Sequence, residues 1–296
     1  MPAAIMHMEQ TTMKREEAMK LVENGIAALN EALRAGRSET LERFLETLAK
    51  FHHYSFNNAL LIALQRPDAT RVAGFHAWRK FGRFVKKGEH GIAIFAPMSR
   101  RKDRDERQQT TTEGEEAVFG FRIAYVFDVE QTEGDPLPEF AQVNGDASNW
   151  LSHLENAVRA EGVVLEYCHI GFPIGAKGVS TPGAITVSPS LSQAEKFAVL
   201  IHEFAHELLH QRTDRKQATT RQIRETEAEA VAYTVCHAFG IDSTTRSSDY
   251  IQLYRGSEDV LKESLGFVQQ TATQIIQLVR QQFNSGNELT VPILAA

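Results

Sequence analysis

Ala198-Val199-Leu200-Ile201-His202-Glu203-Phe204-Ala205-His206-Glu207-Leu208-Leu209-His210 carries an H-E-x-x-H pattern inside an apolar run of helical period. An α-helix turns once in about 3.6 residues, so His202 and His206 leave one face a turn apart, near enough to share a metal ion. Glu203 follows the first histidine. From there it can lean over an open metal position and take a proton from water, whose pKa Zn²⁺ pulls from about 15.7 toward 7. Ala198, Leu200, Ile201, Phe204, Ala205, Leu208 and Leu209 would bury the back of the helix, the rigid setting that a two-histidine site requires. An ordinary amphipathic helix with surface histidines gives the same five letters, so context decides.

A tetrahedral catalytic zinc takes a third protein ligand and leaves its fourth place to water. Arg224-Glu225-Thr226-Glu227-Ala228-Glu229-Ala230-Val231-Ala232-Tyr233 is strongly helix-forming and sets Glu225 and Glu229 i, i+4 on one face. Either is a candidate third ligand. Glu227 points elsewhere and is expected at the solvent. The extended H-E-x-x-H-x-x-G-x-x-H spacing would need a histidine at position 212, which is Arg212, so that geometry is excluded. His210 is then expected either at the rim of the site or behind the metal ligands. Zinc is the expected metal, and manganese or another divalent ion suits the same weakly selective ligand set.

The 296 residues suffice for two domains, and 42% hydrophobic with 24% charged residues is a globular composition. No apolar stretch approaches the ~18 residues of a membrane span, and the N-terminus shows no signal-peptide core. Cys168 and Cys236 are too few for a disulfide framework, so a cytoplasmic, reducing setting is expected.

The net charge of −6 is unevenly spread: residues 71–107 hold eleven Lys/Arg against four Asp/Glu. Within 74–91 the cations Arg79, Lys80, Arg83, Lys86 and Lys87 are interleaved with Phe75, Trp78, Phe81 and Phe84, and Arg71 lies just upstream. Stacking faces in a cationic groove are what sequence-tolerant single-strand binding uses. Phe75, Trp78 and Phe81, spaced by three, could equally form a buried helical stripe. Asn57 and Asn58, just before an apolar helix, either cap it or hydrogen-bond nucleotides. Asp128 and Gln131 read as turn chemistry.

Helices are expected over 13–33, 38–51, 59–65, 148–161 and 258–283. Strands are expected at 91–96, 118–129, 163–167 and within 178–187, with a polar loop over 98–116 and a turn-rich linker at 134–138.

Two resemblances follow from these motifs. HEFAH with the following E-T-E-A-E-A-V-A-Y resembles the zincin-type metallopeptidase domains of mobile-element proteins and the ImmA/IrrE peptidases, whose second helix reads E-x-x-A-(Asn/Asp). That pattern implies Glu225 as ligand with Glu229 behind it, although Glu229 is longer than the usual Asn or Asp and could itself reach the metal. Y-S-F-N-N-A-L-L-I-A-L-Q, then G-F-x-x-W-x-x-x-G-R-x-V-K-K-G-E-x-G-I-x-I-x-x-P and Y-V-F-D-V-x-Q-T, resembles the N-terminal single-stranded-DNA-binding domain of ArdC antirestriction proteins. The implied role is protection of plasmid DNA entering a recipient as a single strand.

The expected architecture is α+β in two domains. Residues 1–140 would carry helices and a small antiparallel sheet that binds single-stranded DNA, and 141–296 a zincin-like metallopeptidase fold. The competing expectation is a site-specific protease, acting on a host regulator or restriction subunit, that DNA merely localises.

Overall fold

The computed structural model describes residues 13–37, 39–101, 116–135, 147–168, 177–241 and 258–286. Most of the loop expected over 98–116 and the end of the 134–138 turn region lie outside them. The fold is α+β, and the described residues of Met1–Asn24 and Leu61–Leu137 form one compact unit, those of Gly25–Leu60 and Pro138–Ala295 another. The units interleave in sequence, so the helical residues 25–60, expected with the first half, cluster with the second.

In the first unit, β1 (Val72–Gly74), β3 (Ile92–Arg101) and β4 (Glu116–Asp128) form an antiparallel sheet in the order β1-β4-β3. Its register pairs Val72 with Asp128 and Ile92 with Val126. β2 (Arg83–Val85) and β5 (Thr132–Gly134) make a second antiparallel ribbon. Gly134 must be glycine: its φ is +128°, and a Cβ there would stand 2.3 Å from the Gly82 carbonyl oxygen. The short helix α4 (Phe75–Lys80) follows β1 directly and lays Trp78 against Ala73 and Phe127. Trp78 is 3% exposed and its indole N–H donates to the Phe127 carbonyl at 2.8 Å. Of the spacing-three stripe, then, Trp78 is core, Phe81 packs partly against it and Phe75 stays 45% exposed.

Asp128 fastens the ends of these strands. Its fully buried carboxylate accepts from the backbone N–H groups of Thr70, Arg71 and Glu130, and its own N–H donates to Gln131 Oε1. Gln131 then donates to the His90 carbonyl and to Glu89. This is a capping box around a single 3-10 turn, Val129–Gln131, the turn chemistry expected of both residues.

In the second unit, β6 (Val164–Tyr167), β7 (Gly178–Thr181) and β8 (Ala184–Val187) form a mixed sheet. The central strand β8 pairs in parallel with β6 and antiparallel with β7. The helices are α2 (Glu39–Lys50), α5 (Ala147–Ala160), α6 (Gln193–His206), α7 (Arg215–Ala218), α8 (Arg221–Ala238) and α9 (Glu258–Gly286). Leu41, Phe44, Leu45 and Leu48 recur at helical spacing and bury the inner face of α2. Ser192 and Glu195 start α6 with a reciprocal capping box, and Thr220 caps α8. Phe197, Leu200, Ile201, Phe204 and Ala205 of α6 are fully buried. Trp150, Phe197, Phe239 and Phe283 make a chain of ring contacts at 4.6–5.8 Å that ties α5, α6, the end of α8 and α9 together.

α9 also holds the turn after α2: Thr273 Oγ1 donates to the His52 carbonyl, and Gln269 Nε2 to that of Tyr54. Arg280 donates to His52 Nε2 at 2.9 Å, so the ring accepts there and stays neutral. Burial, with His53 and Arg280 alongside, drops the His52 pKa from 6.5 to about 3.

Two measurements test this packing. Trp78→Ala in the full chain is expected to cost roughly 3–5 kcal/mol in urea unfolding, whereas Phe75→Ala shifts the midpoint little; equal small shifts would remove Trp78 from the core. Because the folded pKa of His52 lies below the unfolded one, the unfolded state binds more protons between the two. Its contribution is complete above 6.5 and is lost as pH falls toward 3. Going from pH 7.5 to 5 should therefore cost about 2 kcal/mol more in the parent than in His52→Gln.

Candidate metal centre and nucleic-acid interface

α6 and α8 pack side by side and bring His202, His206 and Glu225 together, each presenting one ligand atom within 4.8 Å of the others. His202 Nε2 and His206 Nε2 are 3.1 Å apart, and Glu225 Oε2 lies 3.6 and 3.5 Å from them. A tetrahedron with corners about 2.0–2.1 Å from its centre has edges of about 3.4 Å, so this triangle has the size of three zinc ligands. Glu229 does not join it. Its Oε2 lies 2.9 Å from Nδ1 on the far side of the His202 ring, where a carboxylate accepts the ring N–H and leaves Nε2 free to bind.

The back of His206 is built differently, and one sequence expectation is corrected there. Beyond His206 the helix widens into a π-type turn, Glu207–Gln211, and His210, 2% exposed, takes the second of its two expected places, behind the ligands and not at the rim. Glu227, expected at the solvent, is 1% exposed. His206 Nδ1 lies 3.0 Å from His210 Nδ1, and His210 Nε2 lies 3.1 Å from Glu227 Oε2. Glu227 is paired with the buried guanidinium of Arg215, which also reaches Ser264 and Glu263 on α9 and lies 4.0 Å above the Phe267 ring. Despite burial, which alone would raise it, the His210 and Arg215 contacts hold the Glu227 carboxyl below its usual range.

Glu203 leaves α6 toward the edge strand β7. A Cβ on Gly178 would meet Glu203 Cγ at 2.9 Å and Val199 Cγ1 at 2.7 Å, so the absence of a side chain lets the strand close on the helix. Burial lifts the Glu203 carboxyl to about 7, with Glu225 adding to the rise and His202 and the Ser180 backbone N–H opposing it. The Ser180 hydroxyl, on the same strand, has no hydrogen-bond partner among the described residues. Glu207 fastens the other end of β7: its buried carboxylate accepts from the Gly183 N–H in the β7–β8 turn and from Arg212. Burial alone would lower the His202 pKa, but its Glu225 and Glu229 contacts outweigh this and raise it to about 10. The same two histidines hold Glu225 far below the usual carboxylate range.

In the other unit, Phe75 and Phe84 are 45% and 53% exposed, and Arg71, Arg79, Lys80, Lys86 and Lys87 are exposed around them in sequence. Arg83 is half-buried and spends its donors on Thr132 and the Asp135 carbonyl, fixing β2 to β5, while Lys86 donates to the Glu130 carbonyl. Trp78 offers no stacking face. Asn57 and Asn58 lie in α3 (Phe56–Gln65), within the stretch that clusters with the second unit, and Asn58 is buried.

Residues 15–127 match the family model of the N-terminal domain of the anti-restriction factor ArdC, and residues 171–242 match that of the IrrE N-terminal-like peptidase M78 domain. The chain thus matches an ArdC N-terminal domain followed by an IrrE-like domain. An uncharacterised Bacillus anthracis protein is 25% identical over 280 residues, covering 80% of this chain and 47% of its own. The chain thus spans about half the length of that relative. Two crystal structures of the antirestriction ArdC protein from the R388 plasmid are similar. The metal-free one is 19% identical with a TM-score of 0.48, covering 80% of this chain and 87% of that chain; for the Mn(II)-bound one the figures are 17%, 0.46, 77% and 88%.

The IrrE-like stretch holds every residue of the metal cluster, its Glu229 and Glu227 backing, and the β7 strand that Glu203 faces. Sequence reasoning missed Ser180, Glu207 and Arg215. Ser180 and Glu207 act through strand and turn contacts that no local spacing announces. Arg215 had no signal of its own, standing between Arg212 and Lys216 in a polar connection. Gly178→Ala is expected to push Glu203 off β7, because the nearest neighbours of the new Cβ are its own side chain and Val199; a crystal structure with Glu203 unmoved would count against the fit.

Proposed function

We propose that the protein is an antirestriction factor. Its ArdC N-terminal domain would bind single-stranded DNA and shield incoming plasmid DNA from host restriction during conjugation, and its second domain would carry a zinc-dependent metallopeptidase site. The observation that carries the DNA reading is the exposed cation-aromatic segment around Phe75 to Lys87, inside the stretch that matches the ArdC N-terminal domain. Strand covering excludes a nuclease without any bond cleavage. Phe75 and Phe84 take the stacking role in place of Trp78, and Arg71, Arg79, Lys80 and Lys87 supply charge. The two free cysteines suit a cytoplasmic setting. Among the described residues, no helix is long and apolar enough to cross a membrane.

For the second site, His202, His206 and Glu225 would hold the ion, and the triangle they form supports that reading. Zinc bound there would supply Lewis acidity that brings the pKa of water toward about 7. Glu203, with a carboxyl near 7, is suited to take a proton from water and return it to a leaving amine. Glu229 holds the His202 ring by its Nδ1 proton. β7, the outer strand of its sheet among the described residues and closed against Glu203 at Gly178, offers backbone groups along which an extended peptide could lie. That observation keeps the second reading alive: a site-specific protease whose DNA binding serves localisation.

The purified full chain is expected to carry about one divalent ion, lost in His202→Ala and His206→Ala, and lost more in Glu225→Ala than in Glu229→Ala, as read by elemental analysis. Full metal content in both histidine variants would remove the site. Neutralising Arg79, Lys80 and Lys87 together should reduce the slope of log affinity for single-stranded DNA against log salt by about 2, at roughly 0.7 per phosphate contact. Glu203→Gln should keep metal and DNA binding and abolish peptide cleavage. If plasmid transfer into a restricting recipient is still protected by Glu203→Gln and not by the triple variant, occlusion is the working activity; the opposite pattern establishes the protease reading.

A further inference from the structure

Resting on the metal reading above, we propose that His210 and Glu227 are positioning residues that fix the tautomer and ring orientation of His206 through a buried chain, His206–His210–Glu227–Arg215. For His206 to offer its Nε2 lone pair toward His202 and Glu225, its ring proton must sit on Nδ1. That Nδ1 is 3.0 Å from His210 Nδ1, and two ring nitrogens at this distance share one proton. His206 then donates, and His210 accepts on Nδ1 and carries its own proton on Nε2. Nε2 lies 3.1 Å from Glu227 Oε2, which can only accept while ionised.

Arg215 keeps it ionised, with Nε 3.1 and 2.9 Å from the two carboxylate oxygens and Nη2 also bonded. The opposite assignment fails at both ends. A His210 donating from Nδ1 would turn a bare Nε2 lone pair on the Glu227 carboxylate, at a place where the two side chains are 2% and 1% exposed. It would also leave the His206 proton on Nε2, facing the other ligand atoms. The charge of Glu227 therefore selects the metal-binding form of His206 across an intervening imidazole.

The two ligand histidines are thus held unequally. His202 meets its carboxylate directly, at a side chain 22% exposed, whereas His206 is held by a chain that ends on Ser264 and Glu263 of α9. No nucleotide or peptide contact is needed for His210 to act.

The test uses the full chain freed of metal and titrated with Zn²⁺ against a competing chelator, and with Co²⁺ while its visible absorption bands are recorded. His210→Asn places a carbonyl oxygen near the Nδ1 position and still accepts from His206. His210→Gln reaches toward Glu227 and loses that acceptor, and His210→Leu loses both contacts. Expected are a loss in Zn²⁺ affinity of about 10- to 100-fold and altered Co²⁺ bands in the Gln and Leu variants, with Asn restoring affinity and bands close to the parent. Circular dichroism establishes that each variant is folded. Should the Leu variant not fold, the contrast between Asn and Gln decides alone. Equal affinity and equal Co²⁺ bands for Asn and Gln, or a folded Leu variant that binds like the parent, overturn the proposal and leave the metal site standing. A folded parent that binds neither ion overturns the metal reading and this proposal with it.

Discussion

Two imidazole nitrogens and a carboxylate oxygen within 3.6 Å of one another are an unfavourable gathering of lone pairs unless something positive lies among them. The second unit is arranged to enforce that gathering. α6 cannot rotate away, because Phe197, Leu200, Ile201, Phe204 and Ala205 are fully buried on its other side. α8 cannot slide, because Ala228, Val231, Ala232 and Val235 pack its inner face and Tyr233 is bonded to Glu46 on α2. Without an ion, the same atoms accommodate each other through protons, which is why His202 holds its proton far above the usual imidazole range while Glu225 gives its own up so readily. On the proposed reading, metal binding would exchange a proton for an ion at a site whose shape apolar burial already fixes.

The ion pair of Arg215 and Glu227 belongs to the same logic. Two charges taken almost wholly out of water gain little net stability, since desolvation consumes most of the Coulomb attraction. What such a pair does supply is direction. Arg215 is spread over Phe267, Ser264 and Glu263, so the Glu227 carboxylate has one orientation available, and the proton of His210 points one way. Removing either partner alone would leave an unpaired buried charge, a cost of several kcal/mol, which is why variants at His210 are the cleaner probe.

How much of this was legible in the sequence depends on the range of the signal. His202, Glu203, His206 and the helix bearing Glu225 and Glu229 announce themselves because one element fixes their spacing, and spacing is what sequence records. Glu227 was misplaced, and His210 left between two positions, for the converse reason. Helical periodicity states which face a residue shares and says nothing about what packs on that face, and here the π-type turn and Arg215 from another helix turned both inward. Trp78 shows the same limit at short range. Its spacing with Phe75 and Phe81 served equally for a core stripe and for a stacking surface, and only the carbonyl of Phe127 in the neighbouring strand decided which of the three went inside. Asp128 and Gln131 were legible as a turn because a capping box is local.

The cationic stretch carries a comparable lesson about charge. Counting Lys and Arg locates a positive region, but it does not say which cations are available to a phosphate. Arg83 spends its guanidinium on holding β2 to β5, and Lys86 donates to a carbonyl, so part of the apparent surplus works inside the unit. Arg79, Lys80 and Lys87 are exposed, and exposed ammonium and guanidinium groups on a small sheet domain are the ones whose counterions a strand would displace. The distinction has a measurable edge. Charges engaged in the fold alter stability when removed, whereas exposed ones alter the salt dependence of binding and leave the unfolding midpoint nearly unchanged. On the proposed reading, one stretch of sequence encodes the charge offered to a strand and the charge used in the fold side by side.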